Sequence, residues 1–541
     1  MRARPVAIGI AAILLPATAG AQSLDTTPGW FADGIHSSQF PSQFGRSAAF
    51  AGDVDRDGHD DILTSEPFFF TPCCPCCNQQ GLVLSFPGSP TGPTTFDWSR
   101  VGENIGTTLG YVVAAAGDVD GDGFDDVVYS SGSGFGDGTH RIHVQLGSED
   151  GLDLGWEYDS GLLFGTLGPS VAAGDVNGDG FDDILGGIPH HPSEAEKRGR
   201  LLAFHGGPLG LGTHPNWDVV GTENQRLGLR LSSAGDVDGD GFDDVLAGAS
   251  PNMVHLYRGS STGLGLTPSW SDATGGIPAA AGDVNGDGVD DFVLGGGNSV
   301  RLFLGGPDGP GVAPDQTLFG AGGFGAGLAT AGDLNGDGFD DLLVGAPDLA
   351  LELGEGRVFL YLGGPSGLRT TPAWFSDDLA GSIDLGRSVG AGDANGDRYT
   401  DVLAGDPDRG RIHVFFGHPN LLPGPAGAIG TANTGQLRFD RTDDGTLELS
   451  WGESCSPAEE DFAVYAGEIG GTFAADDRIT CTTFGRTFVE LDLEPGDRFY
   501  LVVPQSADRE GSYGTDGENT QRLPSVAACL PQALGLCVSG P

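Results

Sequence analysis

The chain is poor in positive charge. Its 541 residues hold 26 Lys and Arg against 75 Asp and Glu, a formal net charge of −49, and Lys197 is the single lysine. Such a surface offers no electrostatic footprint to a nucleic-acid backbone and is repelled by an anionic membrane face. Cysteine is missing from the long middle of the chain. Four form the cluster Cys73-Cys74-Pro75-Cys76-Cys77, and the others are Cys455, Cys481, Cys529 and Cys537. No long stretch has helical periodicity, and no stretch beyond the N-terminus reaches the about 20 apolar residues that a membrane-spanning helix needs. Glycine, by contrast, is abundant at 95 residues. Without a Gly-X-Y period this excludes collagen and indicates many tight turns.

Residues 1–21 read as a secretory signal peptide: Arg2 and Arg4 precede the apolar run Val6 to Leu15, and Ala19-Gly20-Ala21 has the small-x-small form of a cleavage site. The mature protein is then expected to start near Gln22, exported to a compartment where disulfides persist.

The string Ala-Gly-Asp-x-Asp/Asn-x-Asp occurs seven times, with first aspartates Asp53, Asp118, Asp175, Asp236, Asp283, Asp333 and Asp393. Before each copy stands a small-residue segment with glycine, such as QFGRSAAFAGD or DLGRSVGAGD. After it come a short apolar run (DILTS, DVVYS, DLLVG) and an alternating run ending in glycine (RIHVQLG, RVFLYLGG). A fourth segment carries Trp30, Trp98, Trp156, Trp217, Trp270 or Trp374, with Phe319 in the sixth slot. Period-2 alternation of β-branched and aromatic residues predicts strands, so each repeat is four short antiparallel strands. Seven such units predict an all-β, seven-bladed propeller, which closes on itself and hides its edges. A tryptophan segment precedes the first acidic loop, and none follows Arg411 to Gly417. The segment around Pro28 to Ala32 is therefore expected to supply the outer strand of the last blade.

On these loops, the preceding FG or LG turns and Gly345-Ala346-Pro347, residues 25 to 420 resemble the FG-GAP repeats of the integrin alpha-subunit propeller. The resemblance implies a seven-bladed propeller with calcium loops in the strand 1–2 hairpins, and extracellular binding or adhesion to a protein or glycan.

A hard dication takes several oxygen ligands, and positions 1, 3, 5, 7 (through its carbonyl) and 9 of a tight loop can converge on one. These are Asp53, Asp55, Asp57, His59 and Asp61 in the first loop, and Asp118, Asp120, Asp122, Phe124 and Asp126 in the second. The third has Asp175, Asn177, Asp179, Phe181 and Asp183, and the fourth Asp236, Asp238, Asp240, Phe242 and Asp244. The fifth has Asp283, Asn285, Asp287, Val289 and Asp291, and the sixth Asp333, Asn335, Asp337, Phe339 and Asp341. The seventh has Asp393, Asn395, Asp397, Tyr399 and Asp401. An EF-hand is excluded, since it requires Glu at position 12 between helices, and Thr64 or Ala404 stands there. Up to seven Ca²⁺ are expected. Loops one, two and four, with four carboxylates, should bind most tightly, and loop seven, where Arg398 replaces the position-6 glycine, most weakly. Counting position 8, the loops hold 30 of the 75 acids.

The strand 2–3 connections lie on the face opposite the calcium loops. They are long in blades 1, 2, 3 and 6, and long loops on a rigid ring often bind ligands. Blade 1 inserts Glu66 to Gln80, with Phe68, Phe69 and Phe70 as either an anchor or local packing, and a disulfide-stapled CCPCC. His190 and His191 of blade 3 read as a solvated loop. Gly386-Arg387-Ser388-Val389-Gly390 matches a nucleophile-elbow string, but it sits in a repeat turn without the strand-to-helix context. No H-E-x-x-H or phosphate loop occurs, so no enzyme is expected. The rival readings are a hydrolase or lyase with its site in the funnel, and a structural surface component. After a Pro/Gly linker over 421–432, residues 433–541 read as a small β-sandwich that resembles fibronectin type III modules, in which Cys455–Cys481 and Cys529–Cys537 disulfides are expected. No membrane insertion and a monomer are expected.

Overall fold

The computed structural model describes residues 22–35, 43–69, 80–103, 107–133, 140–161, 170–193, 195–348, 356–376 and 384–419, and six strands beyond residue 437. By contacts the chain divides into two compact units, Met1–Pro419 and Asn420–Pro541.

The first unit is a seven-bladed propeller of four-stranded antiparallel sheets. Blade 1 runs from the inside outward as Ala48–Gly52, Asp61–Glu66, Leu82–Phe86 and Trp98–Val101, and blade 2 as Thr107–Gly117, Asp126–Ser133, Arg141–Leu146 and Asp153–Asp159. Blade 3 is Ser170–Gly174, Asp183–Gly187, Arg200–Phe204 and Trp217–Val220; blade 4 is Arg230–Gly235, Asp244–Ala249, Met253–Tyr257 and Trp270–Asp272. Blade 5 is Ile277–Gly282, Asp291–Gly296, Ser299–Phe303 and Gln316–Phe319; blade 6 is Gly327–Gly332, Asp341–Ala346, Arg357–Tyr361 and Trp374–Phe375. Blade 7 takes Val389–Gly392, Asp401–Asp406 and Arg411–Phe415 from the end of the unit and its outer strand, Trp30–Asp33, from the beginning, as the missing eighth tryptophan segment required. Gln22–Leu24 pairs with Gly417–Pro419 beside it. No helix occurs among the described residues.

The second strands are buried along their whole length in nearly every blade, because both faces of each blade are covered by its neighbours. The core is accordingly divided. Seven apolar clusters each straddle one blade interface, such as Val83 with Val127 and Tyr129 between blades 1 and 2, or Phe44 and Ile62 with Leu403 and Val414 between blades 1 and 7. Inner strands are made of small residues because seven of them meet around one axis. Every acidic loop is the connection between inner and second strands, so all seven lie on one face of the ring.

In the second unit, Arg438–Arg441, Leu447–Ser450 and Phe488–Leu491 form one antiparallel sheet; Asp477–Thr480, Asp461–Glu468 and Arg498–Gln505 form another. The cysteines of this unit, the CCPCC cluster and the N-terminal residues 1–21 lie outside the described residues.

Candidate metal centres

Each acidic loop is wound around its first aspartate. One oxygen of that carboxylate accepts the N–H of position 5, as in Asp57 to Asp53 at 2.9 Å and Asp397 to Asp393 at 3.1 Å, and the other accepts the N–H of position 6, as in Gly58 to Asp53 at 3.0 Å. The turn drives position 6 into the left-handed region, with φ of 90° at Gly58 and 88° at Gly123. There an L side chain costs about 1–2 kcal/mol. Arg398 takes the same conformation at φ 71°, so the seventh loop carries this strain.

Position 9 opens the second strand and is buried in all seven blades, from 0% exposed at Asp183 to 2% at Asp61. One oxygen accepts the N–H of the glycine after the third strand, for instance Gly88 to Asp61 at 2.8 Å and Gly417 to Asp401 at 2.7 Å. In several loops the other accepts the N–H of position 2, as in Val54 to Asp61 at 3.2 Å. These bonds fix the carboxylate but do not neutralise it. Burial raises the pKa of Asp61, Asp126, Asp183, Asp244, Asp291 and Asp341 to about 7, and that of Asp401 to about 8.

Carboxylate oxygens converge to within 4.8 Å of one another in three loops among the described residues: Asp53, Asp55 and Asp57; Asp118, Asp120 and Asp126; Asp236, Asp238 and Asp240. These are the first, second and fourth loops, the ones with aspartate at position 3. Asp238 is 8% exposed and its Oδ1 has no hydrogen-bond partner, while its Oδ2 meets Arg258 at 2.8 Å. In the Asn loops the amide nitrogen faces a carboxylate, Asn177 toward Asp183 and Asn335 toward Asp341. Hard oxygen donors clustered on a rigid hairpin, with buried acids in want of positive charge, fit a dication such as Ca²⁺.

Position 8 has a role that the sequence did not disclose. Its carboxylate accepts the N–H of position 1 in the preceding blade: Asp125 from Asp53 at 2.9 Å, Asp182 from Asp118 at 3.1 Å, Asp243 from Asp175 at 3.1 Å, Asp290 from Asp236 at 2.9 Å, Asp340 from Asp283 at 2.9 Å and Asp60 from Asp393 at 2.7 Å. Its own N–H donates back to the position-1 carbonyl, as in Asp60 to Asp393 at 2.9 Å. Six junctions are clamped in this way. At the junction of blades 6 and 7 the position holds Thr400. The invariable glycine before position 1 follows from the clamp, since a Cβ at Gly52 would lie 2.2 Å from Asp125 Oδ2. At Gly332, opposite Thr400, the same Cβ would meet nothing within 4 Å. We expect Asp290→Ala, which leaves the Asp236 N–H without its acceptor, to lower stability by about 1–3 kcal/mol. Asp290→Asn, which keeps an acceptor oxygen, should cost much less. Equal melting temperatures for the two variants would refute the clamp.

Other candidates resolve differently. Ser388 Oγ donates to Gly45 O at 3.0 Å, binding blade 7 to blade 1, and Ser170 Oγ does the same to Gly228 O at 2.8 Å. His190 is buried at 3% exposure, not solvated, because the blade 3 connection folds back so that Gly199 N–H reaches His191 O. Phe69 packs on the core between blades 1 and 7 and Phe68 is half-buried, which favours local packing over an exposed anchor; Phe70 lies outside the described residues. One arrangement was not foreseen: Ser131 Oγ lies 3.0 Å from His143 Nε2, and His143 Nδ1 lies 3.3 Å from Glu157. Ser131 is only 4% exposed, and the same strand-3 histidine recurs as His255 and His413 with other partners. Recurrence marks a cross-strand packing element of the blade.

Fold and acidic hairpins together define a class, the FG-GAP β-propeller of integrin-alpha type. The FG-GAP-like repeat model matches residues 236–294 and 283–344, and the FG-GAP repeat model matches 44–82 and 167–201. Among relatives, Integrin alpha-4 of Xenopus laevis is 29% identical over 174 residues, 31% of this chain and 16% of that one. Integrin alpha-7 of Rattus norvegicus is 33% identical over 212 residues, 37% of this chain and 18% of that one. The chain thus spans less than a fifth of the length of these relatives. A solved chain from a crystal structure of BBS1N in complex with ARL6DN, soaked with lead, aligns over 74% of this chain at 10% identity with a TM-score of 0.43. The family matches all lie in the propeller and lend no support to the fibronectin-type likeness of the C-terminal unit.

Proposed function

We propose that the protein is exported by a signal peptide over residues 1–21 and acts outside the cytoplasm as a calcium-loaded binding or adhesion module for a protein or glycan. The propeller is taken as residues 22–420, followed by a linker over 421–432 and a C-terminal module over 433–541 of open function. Calcium stiffens the hairpins and takes no part in chemistry, while the opposite face, with the longer strand 2–3 connections, meets the partner. The observation that carries this reading is the convergence of three carboxylates in loops one, two and four, on a propeller similar to that of integrin alpha subunits. These three loops are expected to fill first and the seventh last.

The test is attachment of the mature, monomeric protein to cells and to immobilised extracellular proteins and polysaccharides, in calcium and in EDTA. Calcium-dependent attachment without turnover supports the reading. Attachment unchanged in EDTA, or conversion of a polysaccharide to products, overturns it in favour of a calcium-independent surface component or a funnel enzyme respectively.

A further inference from the structure

The acidic loops are tied to one another around the ring by residues that stand among their metal ligands. Position 7 offers its carbonyl to the metal, and position 8 stands between it and the ligand at position 9. The side chains of both reach back to the preceding blade. The position-8 carboxylate takes the N–H of position 1, as described above. The position-7 side chain lies on position 4, between the ligands at positions 3 and 5. Phe242 covers Gly178, where a Cβ would stand 2.6 Å from its ring, and His59 of blade 1 covers Gly396 of blade 7, where the same distance is 2.7 Å. In the first loop position 4 is Arg56. Its guanidinium lies 5.0 Å from the centre of the Phe124 ring and its Nη1 donates to Asp122 O at 3.4 Å. A third tie comes from the turn after the third strand. Ser148 N–H donates to Val54 O at 3.0 Å and Gly364 N–H to Val284 O at 2.9 Å, each at position 2 of the preceding loop.

These ties join parts of the chain that metal binding would hold still. In loop two the carboxylates of Asp118, Asp120 and Asp126 gather within 4.8 Å of one another, and like charges so close push an unfilled loop open. With a dication bound, Asp122, Phe124 and Asp126 are held on one point, and Asp125 with them. Asp125 accepts the Asp53 N–H at 2.9 Å and returns its own N–H to Asp53 O at 3.4 Å. Loop two thereby orders the backbone of the position-1 ligand of loop one. A site whose ligands are already ordered binds its ion at a lower cost in conformational entropy. Charge acts the other way, since each bound cation weakens the field that draws the next. That effect is screened within about 8 Å at physiological salt and is diluted in a net charge of −49, whereas the ties are direct contacts. The ordering effect therefore dominates.

We infer that neighbouring loops take up calcium cooperatively, each loop ordering the position-1 aspartate of the loop before it through its position-7 and position-8 side chains. The inference rests on the reading of the loops as calcium sites. It makes Phe124 and Asp125 positioning residues for the site of loop one, whose metal neither of them ligates. By linkage the help is mutual. Loops one and two are adjacent and both have aspartate at position 3, so they should fill as a pair. Loop four stands between the Asn loops three and five and has no neighbour of like affinity. A coupling of about five- to tenfold in affinity is expected, at the lower end of what coupled sites show.

The experiment is calorimetric titration of the EDTA-stripped mature protein with Ca²⁺ at physiological salt. The parent is expected to show three tight sites, those of loops one, two and four. Asp238→Asn turns loop four into an Asn loop and should leave two sites at the parental affinity. Asp120→Asn does the same to loop two and should leave only one, because loop one weakens about five- to tenfold although none of its own residues has changed. Asp125→Ala keeps every ligand in place and should weaken loop one to the same extent. Combined with Asp120→Asn it should weaken loop one no further, since both changes cut one link. Two sites at the parental affinity in Asp120→Asn, or effects of Asp120→Asn and Asp125→Ala that add in full, would overturn the coupling while leaving calcium in the loops. No calcium binding by the parent would overturn the calcium reading and the coupling with it.

Discussion

Stripping calcium with EDTA should lower the melting temperature of the mature protein by tens of degrees, and restoring Ca²⁺ but not Mg²⁺ should recover it. A ligand that binds only the folded state adds about 2.7 kcal/mol per site at a hundredfold excess over its dissociation constant, so three filled loops contribute about 8 kcal/mol on that basis. This is comparable with the whole stability of a typical domain, about 5–15 kcal/mol. The effect should depend on pH with a definite sign. In the stripped protein the position-9 carboxyls have pKa values raised by burial from 3.8 to about 7, as at Asp126 and Asp341. A raised carboxyl pKa favours the fold while the group is protonated. That contribution is complete below the unfolded value and is lost as pH rises through about 7. Stripped protein should therefore weaken between about pH 4 and pH 7, while calcium, which binds the ionised carboxylates and releases their protons, should stabilise most at the upper end. The gap between the two melts is expected to widen with pH. Coincident melts at both ends would remove calcium from the loops and leave the propeller standing.

The parts of this molecule that could be read from its sequence are those carried by neighbours along the chain. Each hairpin places its turn glycine, its position-1 aspartate and its apolar second strand within about a dozen residues, so strand pattern and loop register were legible seven times over. The closure by Trp30 was legible by counting, since a repeat with one outer strand too many at the start lacks one at the end. What escaped is carried between blades. Asp125 and its partner Asp53 are separated by 72 positions and Asp60 and Asp393 by 333, and within either loop nothing marks the position-8 aspartate off as a contact to another blade. Gly386-Arg387-Ser388-Val389-Gly390 shows the reverse case, in which a local string suggested chemistry that the bond from Ser388 to Gly45 assigns to blade contact.

Removal of residues 22–35 should have an effect as large as that of calcium. Without Trp30–Asp33 the strand Arg411–Phe415 becomes an exposed edge of the last blade, and Gly417–Pro419 loses Gln22–Leu24. The two pairings are extended by Gly29 N–H to Val414 O at 3.0 Å, Asp25 N–H to Phe416 O at 3.1 Å and Gly34 N–H to Gly410 O at 2.9 Å. Side chains add to the closure. Asp33 receives Arg411 through two hydrogen bonds of 2.6 and 2.9 Å, the Arg411 guanidinium lies 4.1 Å from the Phe31 ring centre, and Trp30 meets Phe86 of blade 1 edge-on at 5.6 Å. Leu24 is buried between blades 6 and 7. At about 0.5–1.5 kcal/mol for each net hydrogen bond and roughly 25 cal/mol per Å² for the apolar contacts, the segment contributes on the order of 5–10 kcal/mol, enough to exhaust the stability of many domains. The truncated chain is expected to be recovered mostly as aggregate, as an unpaired edge strand predicts. Adding a peptide of residues 22–35 during refolding should restore soluble monomer, because the clasp is non-covalent. A truncated protein that melts within a few degrees of the full chain would show instead that the ring closes through blade packing alone, with the seven apolar interfaces sufficient and the Trp30 segment dispensable.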